Sequence, residues 1–166
     1  MILGMSVEAF TIIHVIISLV AIGSGFVFLY GLMGGKKLDG WTGLFLTTTV
    51  ATSVTGFAYP FHGVTPGIVV GVISLIVLAI AILALYSFHL AGAWRSIFTV
   101  STILSLYLNV FVLVAQSFQK IAFLKALAPT GSEPPFLVAQ LVVLALFVVL
   151  TIRAVKRFRM EPLRAA

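Results

Sequence analysis

The chain has 166 residues, of which 61% are apolar and 8% are Asp, Glu, Lys or Arg. A soluble domain carries about 45–50% apolar and about 25% charged residues, which excludes a water-soluble globular enzyme; disorder is excluded too, since it needs low hydrophobicity and high charge. With no cysteine, disulfides, thiolate metal sites and cysteine nucleophiles drop out, and an integral membrane protein is the class that remains.

The N-terminal segment MILGMSVEAF has no basic region and no A-x-A site, so it does not read as a cleaved signal peptide, and the first span is expected to stay as an anchor. A spanning helix needs about 20 largely apolar residues. Residues 9–35 are free of charge and predict a first span near 9–33. Ala21 and Gly25 lie four apart in it, with Ser18 on a neighbouring turn. Residues 40–94 are also uncharged but too long for one helix. They break at Tyr59-Pro60-Phe61-His62-Gly63-Val64-Thr65-Pro66-Gly67, where paired prolines and glycines predict a turn. Spans near 41–60 and 67–90 follow. A fourth is expected at 96–119 and a fifth at 136–153, entered through Pro134 and Pro135. Ile121, Leu124 and Leu127 stand at helical spacing, so 119–128 is a candidate interfacial helix. The basic tail runs from 153 to 166. No linker, repeat or second domain is evident, and the fold class is an all-α transmembrane bundle of five helices.

The second span is rich in threonine and marginal in hydropathy, so the loop charges carry it. With five spans, Lys120 and Lys125 fall on one side. Lys36, Lys37, Arg95, Arg153, Lys156, Arg157, Arg159 and Arg164 fall on the other. Lys and Arg accumulate on the cytoplasmic side, which predicts the N-terminus outside and the C-terminus in the cytoplasm. Removing the second span destroys that asymmetry. The net charge of +6 then implies anionic lipid at the cytoplasmic face and no nucleic acid; a membrane-complex partner or a second copy remains open.

Small and polar residues must supply the packing, because lipid gives apolar helices no reason to associate. Expected inward stripes are Thr48, Thr52 and Gly56 in the second span and Gly67, Gly71, Ser74 and Ala81 in the third. The fourth offers Thr102, Ser105, Asn109 and Gln116. Most of the threonines are expected to bond the carbonyl four residues back.

Charged groups inside a membrane usually mark function, and here every Asp, Glu, Lys and Arg lies at the end of a predicted span or outside it. That counts against ion-coupled transport, proton pumping and voltage sensing. No H-x-x-x-H, H-E-x-x-H, G-x-S-x-G or P-loop pattern occurs. Three histidines remain. His89 lies about 33 Å along its helix from Gly67 at 1.5 Å per residue, so His14 and His89 sit near opposite faces and cannot share one iron. His14 and His62 both lie toward the outer face, and a shared metal or haem site there is geometrically open. The candidate ligand-binding set is His14, Tyr59, His62, Asn109, Gln116 and Gln140, with Ser117 beside them. His62 sits in the outer turn, and the others lie between the midplane and the outer face. Their competing reading is interhelical hydrogen bonding that locks the bundle.

The stretches TTTVATSVTGFAYPF, GIVVGVISLIVLAIAILALY and SEPPFLVAQLVVLALFVVL resemble a group of small bacterial multi-pass inner-membrane proteins, along most of the chain. The resemblance implies a bacterial inner-membrane setting and no catalytic residue. The four-helix cytochrome b type is a looser comparison, lacking here its depth-matched histidine pairs. The leading expectation is an accessory or scaffold subunit without enzymatic activity, or a binder of a neutral lipid-like ligand in the outer half of the bundle. The alternative is a redox protein holding haem b or a quinone near His14 and His62. A small uncoupled transporter or channel is the third.

Overall fold

The computed structural model describes residues 1–60, 63 and 65–160. Apart from one isolated bridge between Ile2 and Met5, all regular structure among the described residues is helical. Helix α1 (Val7–Met33) starts at Ser6, whose Oγ accepts from Ala9 N at 3.1 Å, the usual way a hydroxyl satisfies an orphan donor at a helix start. It stops at Gly34 and Gly35, the latter at φ 73, where a side chain is disfavoured. Helix α2 (Asp39–Gly56) runs back antiparallel. Helix α3 (Pro66–Ile82) opens on Thr65, which caps Ile68 N, and on Pro66 in its first turn. A π-turn, Leu83–Ser87, ends it. Helices α4 (Trp94–Lys120), α5 (Ala122–Leu127) and α6 (Pro134–Met160) complete the described residues.

Four of these helices are long and apolar enough to cross a membrane: Val7–Met33, Pro66–Ser87, Trp94–Lys120 and Pro134–Arg159. The chain is therefore a multi-pass membrane protein. The expectation of five spans is met in part, because α2, with 18 residues, is not among the four. Its threonines lower its hydropathy, although Thr42, Thr48 and Thr55 each turn their hydroxyl onto the carbonyl four residues back, at 2.7–2.8 Å.

Helix α4 is the hub. It packs on α1, α2, α3 and α6, and 50% of its most apolar stretch is buried, against 11% for α6. The reason is its stripe of small residues. Thr99, Thr102 and Ser105 are buried, and each donates to a carbonyl four residues back, so the neighbours meet a surface with its polarity already satisfied. At one level the approach is closest: a Cβ on Gly25 would lie 2.6 Å from Leu106 Cδ1 and 2.9 Å from Phe45 Cδ2. Phe45 stacks on Phe28, which meets Phe98 edge-on. These rings and Leu78 belong to the main core, which fills the half of the bundle toward the C-terminus.

Three boundaries differ from the sequence expectation. Helix α2 ends at Gly56 rather than near 60. Helix α3 gives way to the π-turn before 90, and His89 and Leu90 follow at φ 47 and 56, a left-handed conformation that non-glycine residues seldom adopt. Leu90 is held there by burial at 3% exposure, and Phe88 stacks on Trp94 with ring centroids 3.8 Å apart. Helix α6 continues past 153, because Ala154 and Phe158 are buried. Arg95 Nη1 donates to Phe158 O at 3.3 Å and the guanidinium lies 5.6 Å from that ring's centroid. The basic residues Arg153, Lys156, Arg157 and Arg159 thus extend a helix rather than a loose tail. Helix α5 leaves Phe123 71% exposed, as suits a short helix at a membrane interface.

Candidate functional site

Above the Gly25 contact the helices part. Between α1, α2, α3 and α4, at the end of the bundle that holds the N-terminus, lies an open-sided cavity of about 750 Å³. Ligand pockets commonly run from about 300 to 1,000 Å³. The cavity extends from Ile22 and Leu108 at its floor to Thr11 and Lys120 at its rim, about 17 Å at 1.5 Å per residue. Its walls are mainly apolar, supplied by Val15, Leu19, Ile68, Val112 and Leu113.

Polar groups enter at defined levels. His14 is half-buried and its Nδ1 lies 2.7 Å from Thr55 Oγ1; that hydroxyl also donates to Ala51 O at 2.7 Å. Tyr59 Oη donates to Thr11 Oγ1 at 3.1 Å, and Thr11 Oγ1 donates to Val7 O at 2.8 Å. The rings of His14 and Tyr59 meet edge-on at 5.6 Å. These contacts clamp the open end of the α1–α2 hairpin, as the approach of Gly31 to Leu38 closes its turn end. On α4, Asn109 Nδ2 donates to Thr49 Oγ1 at 3.3 Å, and Gln116 and Lys120 line the cavity farther out. Ser53 donates to Ser74 at 3.2 Å, joining α2 to α3 at the cavity wall. Thr52 Oγ1 is buried at the wall without a hydrogen-bond partner.

Of the residues singled out from the sequence, the structure brings His14, Tyr59, Asn109, Gln116 and Ser117 to one cavity. Gln140 is not brought there. It is 8% exposed and donates through Nε2 to Phe111 O at 3.1 Å, which joins α6 to α4, while its Oε1 is buried there without a partner. His62 lies outside the described residues. His89 sits in the turn at the opposite end of the bundle. Among the described residues no three His, Asp or Glu side chains cluster as metal ligands.

No protein-family model, curated protein or solved structure matches the chain. What it does must come from the cavity's own chemistry. Sequence reasoning missed three contributors: Thr55, which orients His14; Thr52, with its orphaned hydroxyl; and Lys120, a cation at the rim. Thr52 and Thr55 are indistinguishable by composition from the other threonines of α2. Thr55 carried a positional signal, since it and His14 stand at nearly equal distances either side of the Gly35 turn.

Proposed function

We propose that the protein is a five-span bacterial inner-membrane protein that holds a neutral, lipid-like amphiphile in the outer half of its bundle. In this reading it acts as an accessory or scaffold component rather than an enzyme. The observation that carries it is the cavity: about 750 Å³, apolar along its walls, with a few neutral polar groups and, among the described residues, no ionisable side chain deeper than His14. A buried hydroxyl without a partner, as on Thr52, is unfavourable by about 1–3 kcal/mol, and a bound polar head relieves it.

Helix α2 supports the fifth span. Its 18 residues measure about 27 Å, close to the roughly 30 Å hydrocarbon thickness, and it lies along α1 from Leu38 to Thr55. Five spans place the basic end of α6 with Lys36, Lys37 and Arg95 in the cytoplasm, against anionic lipid, and the cavity toward the outer face. A homo-oligomer or a membrane-complex partner is compatible with the exposed α6.

A redox reading, with haem or quinone beside His14 and His62, draws on one observation: His14 Nε2 has no hydrogen-bond partner among the described residues. Purification in mild detergent, followed by mass spectrometry of every retained molecule, tests both. The lipid reading predicts a neutral amphiphile and no reducible Soret band. Retained haem or a retained quinone would contradict it and support the redox reading.

A further inference from the structure

Resting on the amphiphile reading above, the cavity's protons specify the ligand more narrowly. Thr55 has one hydroxyl hydrogen, and Oγ1 lies 2.7 Å from the Ala51 carbonyl, which can only accept. The 2.7 Å contact with His14 Nδ1 must therefore be made by the imidazole N–H. A neutral imidazole protonated at Nδ1 has a bare lone pair at Nε2. The same pattern recurs around it. Thr11 donates to Val7 O, Tyr59 donates to Thr11, Ser18 donates to His14 O, and Ser117 donates to Leu113 O. Each of these donors is turned toward protein, so what these groups retain for a ligand is acceptor capacity; Thr52, deeper in the wall, keeps an unpartnered hydroxyl that can donate or accept. Across the cavity on α4 the balance reverses: Gln116 and Lys120 carry N–H groups with no protein acceptor among the described residues. His14 and Gln116 stand at matching heights, about 15 Å above the Gly25–Leu106 contact.

We infer that the ligand is a partial glyceride: an acyl chain esterified to a glycerol that keeps a free hydroxyl. Its O–H donates to His14 Nε2, its ester carbonyl accepts from Gln116 or Lys120, and its chain fills the apolar wall toward Ile22. A quinone or a simple fatty ester brings acceptors alone and sets lone pair against lone pair at His14. A plain alcohol satisfies His14 and leaves the α4 donors unmet.

The test uses the full chain in phosphatidylcholine nanodiscs, whose headgroup has no hydroxyl, titrated with 1-oleoylglycerol, oleyl alcohol and methyl oleate. The readouts are the ligand dependence of thermal stability and the ¹⁵N resonance of His14 Nε2, assigned with His14→Gln. The expected order is oleoylglycerol tightest, with methyl oleate about tenfold weaker, the factor for one buried acceptor left unmet; the Nε2 resonance moves with the hydroxylated probes alone. Thr55→Val, nearly isosteric, removes the acceptor that keeps the proton on Nδ1 and is expected to abolish the selectivity while the protein stays folded. Equal binding of all three probes with an unmoved Nε2 resonance, or oleyl alcohol matching oleoylglycerol, would overturn the partial-glyceride assignment and leave the amphiphile reading standing. No binding by any probe would overturn both.

Discussion

His14 was visible in the sequence because an ionisable ring is rare and costly within an uncharged span. Tyr59, Asn109 and Gln116 stood out because each brings a polar group that lipid cannot satisfy. Their partners did not. Thr11, Thr49 and Thr55 complete the hydrogen bonds, yet threonine in a membrane helix mostly bonds its own backbone, so nothing in its residue type marks one that also faces a neighbour. Gln140 stood out on the same logic as Asn109 and lies outside the cavity, bonded to Phe111 O. The two differ in which face of the bundle they occupy, and single-residue chemistry does not encode that. Glu133 offers a test away from the cavity. Its carboxylate accepts from Thr130 N at 3.0 Å, Thr130 Oγ1 at 2.8 Å and Ser132 N at 3.1 Å. These bonds, the Thr130 backbone N–H foremost, lower its pKa from 4.5 to about 2. Because the folded value is depressed, the ionised carboxylate orders this turn fully above about pH 4.5, and that ordering is lost as pH falls through about 2. The amide shifts of Thr130 and Ser132 are expected to titrate with a midpoint near 2. A midpoint at the ordinary carboxylate value would show that the turn is not ordered this way.

The long helices were legible from hydropathy and charge gaps, and Pro66 and Pro134 mark two of their starts. Their ends were less legible. Ala154 and Phe158 extend α6 because they find the core, which a local reading of charged residues around them does not reveal. The π-turn after Ile82 leaves no signature in an unbroken apolar run. The small-residue stripes were informative in a definite way: Ala21, Gly25 and Ala81 are buried against neighbouring helices, whereas Gly67, Gly71 and Ser74 line the cavity. Spacing alone gives the inward face, and does not say whether that face meets a helix or a void. Gly25 divides the two regimes. Gly25→Ala is expected to destabilise the bundle by about 1–3 kcal/mol, the usual range for overpacking, because Phe45 is pinned by its stack on Phe28 and cannot easily withdraw. Unfolding in mixed micelles measures this, and an unchanged midpoint would mean that α1, α2 and α4 do not converge there.

The arrangement as a unit follows from a division of labour along the bundle axis. Toward the C-terminus, aromatic rings and α4's satisfied hydroxyls fill the space between helices. Toward the N-terminus the same helices part around a void with sparse neutral polarity. Composition announced the membrane and the charge asymmetry suggested an orientation, but the void depends on where four helices diverge, and this is written in no one segment. The absence of native cysteine makes orientation directly accessible. A single cysteine in place of Ser132 is expected to react with an impermeant maleimide on intact cells, and one in place of Lys36 only after permeabilisation; the reverse pattern would invert the proposed topology. The central claim, that the outer half holds an amphiphile, is tested most directly by native mass spectrometry of the protein released from mild detergent, beside a Ser18→Phe variant that fills the cavity. The account predicts one bound small molecule of lipid mass per wild-type chain and none on a variant of equal helicity. The same adduct on both proteins, or on neither, would contradict it.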